Sequence, residues 1–376
     1  MLVTCLKENL KESLDNALRI VKYNSTLPIL NNFLLSAEKG RLKISATDLE
    51  IGFTAWVSSK VSKEGRITVG AQLLNQFINN LPNQNIELEV KDSKLHLNCG
   101  NIKASFNGLD AEDFPIIPKL KNALALTIDA KVLKDALASV VNSAALSDAR
   151  PEISSVYVRM EPDQIKFVAT DSFRLAHKTI FLNSEEMKGK SKIDFSKSEN
   201  VIIPLRTAAE VLRLLGEKNG NVSITIDQNQ VLFDFDGIHL VSRLIEGNYP
   251  DYEAIIPKGA ETKCFFAKDG LEEAVKLAGC FSTKLNDITI KTNVAKSNLE
   301  VLASHSDYGS HHAKIESEIK GKDAVTVFNW RYVLDGLKNI SGENAVFEIN
   351  GDQKPAVLKP ADKSDFFYIL MPIKNN

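Results

Sequence analysis

The chain has 376 residues, 44% hydrophobic and 25% charged, with a formal net charge of -2 at pH 7; it is long enough for two or three domains with their own cores and too near neutral to coat nucleic acid through overall positive charge. Cys5, Cys99, Cys264 and Cys280 form no CxxC pair, which argues against a zinc ribbon or a thioredoxin-type site. The N-terminus lacks a signal-peptide core and no run nears the roughly 20 apolar residues of a membrane span, so a soluble cytoplasmic protein with no membrane partner is expected.

A short alternating strand with Val3 and Cys5 opens the chain, and a helix follows whose apolar face is Leu10, Leu14, Ala17, Leu18 and Val21. Next comes the strand Leu42-Lys-Ile-Ser-Ala-Thr-Asp48, then a second helix introduced by Val69 and carrying Leu73, Leu74 and Phe77. Two strands split by Asp92-Ser93 and the proline-bearing segment Asp113-Phe-Pro-Ile-Ile-Pro118 complete this set.

The same order then returns. Leu126 and Ile128 precede a helix face of Leu133, Leu137, Val140, Val141 and Ala144; Ile165-Lys-Phe-Val-Ala-Thr-Asp171 follows, then Ile203 with Val211, Leu212 and Leu215, the turn at Asp227-Gln-Asn229, and Asn248-Tyr-Pro-Asp-Tyr-Glu-Ala-Ile-Ile-Pro257. A third copy runs through Cys264 and Phe266, a helix of Leu271, Val275, Ala278, Gly279 and Ser282, the strand Leu299-Glu-Val-Leu-Ala-Ser-His305, then Val327 with Val333, Leu334 and Leu337, and Asn350-Gly351. Its first helix keeps the start of the apolar stripe and loses the end. Collinear matches of this kind indicate an internal repeat, and the expected architecture is α+β in three tandem units, 1–121, 122–259 and 260–376.

Chemistry-bearing motifs are missing: no GxxxxGK[ST] or GxGxxG phosphate loop, no GxSxG elbow and no HExxH helix. His305, Asp307, His311 and His312 are the sharpest metal candidates, but a polar strand and turn accounts for them without a metal. Asp48 and Asp171 recur at equivalent places after a strand, which favours bracing of a turn over an acid/base pair. Basic residues on the helices, among them Lys11, Arg19, Lys134, Arg206, Lys276 and Arg331, share them with acidic ones, the ordinary pattern of a solvated helix face. No catalytic residue, metal or cofactor is expected.

The segments Thr26-Leu-Pro-Ile-Leu-Asn-Asn32, Ala46-Thr-Asp-Leu-Glu50, Asp113-Phe-Pro115, Ala169-Thr-Asp-Ser-Phe-Arg-Leu-Ala176, Tyr249-Pro-Asp-Tyr252 and Tyr368-Ile-Leu-Met-Pro372 resemble the beta subunit of bacterial DNA polymerase III, the sliding clamp family. The resemblance implies three DNA-clamp domains, each with two helices packed on antiparallel sheets, in a head-to-tail homodimeric ring. The ring would encircle double-stranded DNA without base readout and without catalysis. It would tether the polymerase III catalytic subunit, the clamp loader, and other polymerases and mismatch-repair proteins through linear motifs.

By the same resemblance, Lys22, Tyr23, Asn24, Arg150 and Arg206 would face DNA, with Lys22 beside a position where the family often has arginine. The partner-peptide pocket would comprise Ile153, Thr170, Phe173, Arg174, Leu175, Pro250, Ile255, Val357, Met371, Pro372 and Ile373. Phe173 replaces a common histidine there, and the tail Ile373-Lys-Asn-Asn376 departs from the family's basic-apolar ending. Cys280 and Phe281 would lie at the dimer contact, which would account for the broken stripe at Gly279 and Ser282; filling of its own domain core is the alternative for Phe281. A metal-dependent enzyme and a peptide-binding scaffold that never meets DNA are the competing readings of the whole.

Overall fold

A computed structural model describes residues 1–22, 27–38, 40–118, 120, 124–147, 149–182, 192–193 and 199–374. The first third runs β1 (Leu2–Leu6), α1 (Lys7–Leu18), β2 (Asn32–Glu38), β3 (Arg41–Thr47), β4 (Ile51–Lys63), β5 (Gly65–Gly70), α2 (Ala71–Asn79), β6 (Asn85–Lys91), β7 (Lys94–Cys99) and β8 (Ile102–Leu109). The second runs β9 (Leu124–Asp129), α3 (Ala130–Val141), β10 (Ser155–Met160), β11 (Gln164–Thr170), β12 (Arg174–Phe181), the short β13 (Lys192–Ile193), β14 (Glu199–Pro204), α4 (Leu205–Leu215), β15 (Asn221–Ile226), β16 (Gln230–Phe235) and β17 (Ile238–Arg243). The third runs β18 (Thr262–Ala267), α5 (Lys268–Gly279), β19 (Asp287–Asn293), β20 (Asn298–His305), β21 (Gly309–Gly321), β22 (Val325–Asn329), α6 (Trp330–Lys338), β23 (Asn344–Ile349), β24 (Ala356–Pro360) and β25 (Phe366–Leu370).

Each third is one pattern written twice: a strand leads straight into a helix, and a three-strand antiparallel meander follows. The leading strand of each half pairs with the first strand of the other half's meander, as β1 does with β6 and β5 with β2. The sequence predicts fewer strands than this. One that it misses, β4, begins Ile-Gly-Phe-Thr-Ala with every residue buried, so it has no apolar-polar alternation to betray it.

The predicted opening strands bury Val3 and Cys5, Leu126 and Ile128, and Cys264 and Phe266. In α1 the stripe Leu10, Leu14 and Ala17 is buried, but the helix ends at Leu18, and Ile20 and Val21 are buried from the turn after it. Leu73 of α2 is 62% exposed rather than core. The break in the α5 stripe has an internal cause: a Cβ on Gly279 would stand 2.8 Å from the Trp330 ring, so that ring fills the place of a side chain. Ser282 then donates from Oγ to the Gly279 carbonyl at 2.9 Å, satisfying one of the helix's last acceptors. These contacts within the chain account for both small residues.

By compactness the chain forms two units that do not coincide with the repeats. One comprises residues 1–131, 189–194 and 213–244 and holds a sheet in the order β1-β6-β7-β8-β5-β2-β3-β4-β17-β16-β15-β9-β13, with β1 also pairing β4. The other comprises residues 132–188, 195–212 and 245–376, and its sheet runs β14-β10-β11-β12-β25-β24-β23-β18-β21-β20-β19-β22. Phe33, Phe53, Leu10 and Leu14 are among the fully buried side chains of the first, and Tyr368, Phe328, Phe347 and Phe366 of the second.

Candidate functional site

The turn between β11 and β12 is built by short polar side chains. Thr170 donates from Oγ1 to the Arg174 carbonyl at 2.7 Å and accepts the Ser172 amide at 3.1 Å, while Asp171 Oδ1 accepts the amides of Phe173 and Arg174 at 2.9 and 3.0 Å. Ser172 takes the left-handed conformation, φ 77°. The turn between β3 and β4 repeats this atom for atom, with Thr47, Asp48 and Leu49 (φ 77°) in the same roles. Both aspartates brace turns, as their recurrence in the sequence predicts.

This turn lifts Phe173 into solvent, 63% exposed, and the Phe173 carbonyl accepts the Met371 amide at 2.9 Å. Behind it a row of residues crosses four neighbouring strands: Thr170 of β11 opposite Leu175 of β12, Leu175 opposite Ile369 of β25, and Ile369 opposite Val357 of β24. Side chains at opposed positions share a sheet face, so these form one apolar floor. Leu175, Ile369 and Val357 are buried together with Val168 and Tyr252, and Tyr157, Tyr249, Ile256 and Phe367 pack against them.

The segment 249–257 therefore contributes rings to this floor and leaves Ile255 43% exposed beside it. Ile255 also lines a cavity of about 480 Å3 between residues 254–261 and Asn350, Lys354 and Pro355. Ile153 is buried, Pro250 exposed, and Met371, Pro372 and Ile373 half-buried. Thr170, Leu175 and Val357, predicted from scattered segments, thus come together. Ile369, Tyr252 and the other rings were missed, although strand alternation back from Met371 leads to Ile369 and Phe367, and Tyr249-Pro-Asp-Tyr252 carries two of the rings.

Arg174 leaves this floor. Strand alternation sends its side chain to the opposite face from Leu175, where Nη1 lies 2.5 Å from Asp335 Oδ2 of α6 and 3.4 Å from the Tyr368 hydroxyl, and Nε lies 2.9 Å from Asp171 Oδ2. Burial disfavours the guanidinium cation, but Tyr368, Asp335 and Asp171 outweigh that and hold its pKa above the usual arginine value. Burial also pushes the Tyr368, Tyr249 and Tyr252 phenols above the ordinary tyrosine range. His177, two residues beyond Leu175 on the floor side, is stacked on Phe367 at 4.4 Å, and burial, aided by Lys166, lowers its pKa to about 4.

The other predicted positions are dispersed. Lys22 is exposed just after α1, and Tyr23 and Asn24 lie outside the described residues. Arg150 is exposed in the loop after α3, 3.4 Å from Glu152, and Arg206 is exposed at the second residue of α4. Cys280 is exposed; Phe281 is half-buried and stacked on His311 at 6.1 Å, with Leu277 half exposed one turn earlier. Residues 309–316 of β21 pair with β20, and β18 takes only 317–321, so among the described residues this stretch has one open edge.

The histidines do not converge on a metal. His305 stacks on Tyr308 at 4.4 Å, His311 faces Phe281, and His312 Nε2 is 3.1 Å from Glu300 Oε2. Among the described residues, no group of three or more His, Cys, Asp or Glu side chains is placed to hold an ion, and no helix is long and apolar enough to cross a membrane.

Three family models match in order: the DNA polymerase III beta subunit N-terminal domain over residues 1–118, its central domain over 127–251 and its C-terminal domain over 253–374. A beta sliding clamp from Synechococcus elongatus is 27% identical over 380 residues, covering 100% of this chain and 99% of the relative. The solved sliding clamp of Bacillus subtilis superposes with a TM-score of 0.94 at 24% identity, covering 100% of both chains. A Pseudomonas aeruginosa sliding clamp bound to griselimycin gives 0.92 at 26% identity, again over 100% of both. With matches to all three domains in their natural order, the chain belongs to the DNA polymerase III beta subunit family, the bacterial sliding clamps.

Proposed function

We propose that this chain acts as the family does: a non-catalytic processivity factor whose two copies close head to tail around duplex DNA and tether partner proteins to it. The observation that carries this is the apolar floor of Leu175, Ile369 and Val357, edged by the exposed Phe173 and Ile255. It is suited to anchoring an apolar peptide segment. Its occupants would be linear motifs of the polymerase III catalytic subunit, the clamp loader, and other polymerases and mismatch-repair proteins, in the cytoplasm. Ile153, Thr170, Pro250, Met371, Pro372 and Ile373 complete the pocket, and 1–121, 122–259 and 260–376 are taken as the three clamp domains.

Lys22, Tyr23, Asn24, Arg150 and Arg206 are assigned to DNA. A few dispersed cations on a chain of net charge -2 suit a ring that must stay linked to DNA yet slide, since phosphate contacts give sequence-independent affinity that grows with their number. Cys280, Phe281 and Leu277, with the open edge of β21, are assigned to the second copy. Residues 102–107 of β8, paired only with β7 among the described residues, offer the other half of such a heterologous contact.

Loading onto a nicked circular plasmid by a clamp loader tests the topology. The protein is expected to stay on the closed circle and to leave once the plasmid is cut; equal loss from both would sink the ring. Arg150→Glu combined with Arg206→Glu should reduce the slope of log affinity against log salt by about two, one for each phosphate contact removed, and an unchanged slope would remove these residues from the DNA face.

A further inference from the structure

We propose that Arg174 is a positioning residue for the partner groove, tying the turn that carries Phe173 to helices α3 and α6 on the opposite face of the sheet. This rests on the reading of the groove as the partner site.

Asp171 divides its carboxylate. Oδ1 holds the amides of Phe173 and Arg174, and Oδ2 receives Arg174 Nε. The carboxylate that holds the turn carrying Phe173 is thus also bonded to the guanidinium. The guanidinium is itself fixed from behind: Asp335 of α6 takes Nη1, the Tyr332 ring lies 4.3 Å from its carbon, and Nη2 donates to the Asn142 carbonyl just past the end of α3. That carbonyl caps the C-terminal end of the helix, where acceptors lack intrahelical partners and carry partial negative charge. A planar fork can satisfy all of these at once, and the ammonium of a lysine cannot.

The molecule holds its own control. The β3–β4 turn has the same hydrogen bonds and the same φ of 77°, yet Ile51 stands where Arg174 does and Glu50 where Phe173 does. The turn therefore forms without the arginine. What the arginine adds is attachment to α3 and α6, and it adds it at the copy that presents an aromatic ring to the groove.

Asp335→Asn tests this from the far side of the sheet, with griselimycin as the probe. The variant should bind it roughly ten-fold more weakly, as expected for loss of a charge-assisted hydrogen bond, chiefly through faster dissociation, and Asp335→Glu should restore part of the loss. Phe173→Ala should also weaken binding, and the double variant should lose no more than the worse single one, because both act through the same ring. Wild-type affinity in Asp335→Asn, or losses that multiply, would overturn the proposal.

Hydrogen exchange reads the same linkage without a ligand. The amides of Phe173 and Arg174 should exchange faster in Asp335→Asn, while those of Glu50 and Ile51 stay unchanged as an internal reference. Unchanged exchange at both turns overturns the positioning role, whereas a wild-type protein that ignores griselimycin but shows the exchange difference overturns only the groove reading.

Discussion

Between pH 6.5 and pH 4 the wild-type protein is expected to lose about 3 kcal/mol more unfolding free energy than a His177→Phe variant, as followed by urea unfolding across that range. In the folded state His177 is buried among Phe367, Tyr252 and Val168, its Nδ1 has no hydrogen-bond partner among the described residues, and its pKa is lowered to about 4. Desolvation is the larger cause and the positive charge of Lys166 the smaller.

The sign follows from which state takes the proton first. An unfolded imidazole protonates near pH 6.5, and the folded one resists until about pH 4, so the unfolded chain holds more protons between these values. The stabilisation is fully present above pH 6.5, declines as pH falls, and is gone below pH 4. Phenylalanine keeps the stacking surface and removes both the titration and the partnerless nitrogen, so the variant should be close to wild type in stability at neutral pH. Parallel pH profiles for the two proteins would show that His177 does not titrate in this way.

Gly321→Ala is expected to be the most damaging single-methyl change, costing on the order of 2–5 kcal/mol from combined backbone strain and overpacking. At the end of β21 this glycine has φ +131°, a conformation that side chains rarely adopt, and its added Cβ would lie 2.1 Å from the Glu261 carbonyl oxygen. The Glu261 carbonyl and the Thr262 Cα, the latter 2.7 Å from that Cβ, are both backbone held in place, because Gly321 is the register partner of Thr262 in the β18–β21 ladder. The contrast is Gly351→Ala, where φ is +81° but nothing lies within 4 Å, so only the backbone cost of about 1 kcal/mol remains. Thermal unfolding of the two variants should differ by several degrees, and equal melting would mean that the close approach at Gly321 relaxes freely.

What the sequence made legible was local or periodic. The leading strands and helices, the Ala-Thr-Asp strands and the bracing role of Asp48 and Asp171 follow from spacing and turn chemistry, which act over a few residues. The small residues at the end of the α5 stripe did not reveal their cause, because the Trp330 ring that fills the space comes from another helix. Leu73 joins the apolar pattern of α2 and yet faces solvent, since period alone does not say which apolar residues find a partner. Arg174 adjoins Leu175 in the chain and is carried to the opposite face by the pleat. The floor of the groove needed strand register: Ile369 meets Leu175 only because β25 pairs with β12.

The pairing of β4 with β17 sets a schedule for synthesis. About 190 residues separate Ile51 from its partner Ser242, so at roughly 5–20 residues per second the ribosome leaves the outer edge of β4 waiting on the order of 10–40 s for its neighbour to be made. The edge of β12 waits as long for β25, which closes against it only when the last residues emerge. Much of the nascent protein thus spends its first half-minute with buried-to-be strand edges uncovered, the period in which stray pairing between chains is most costly.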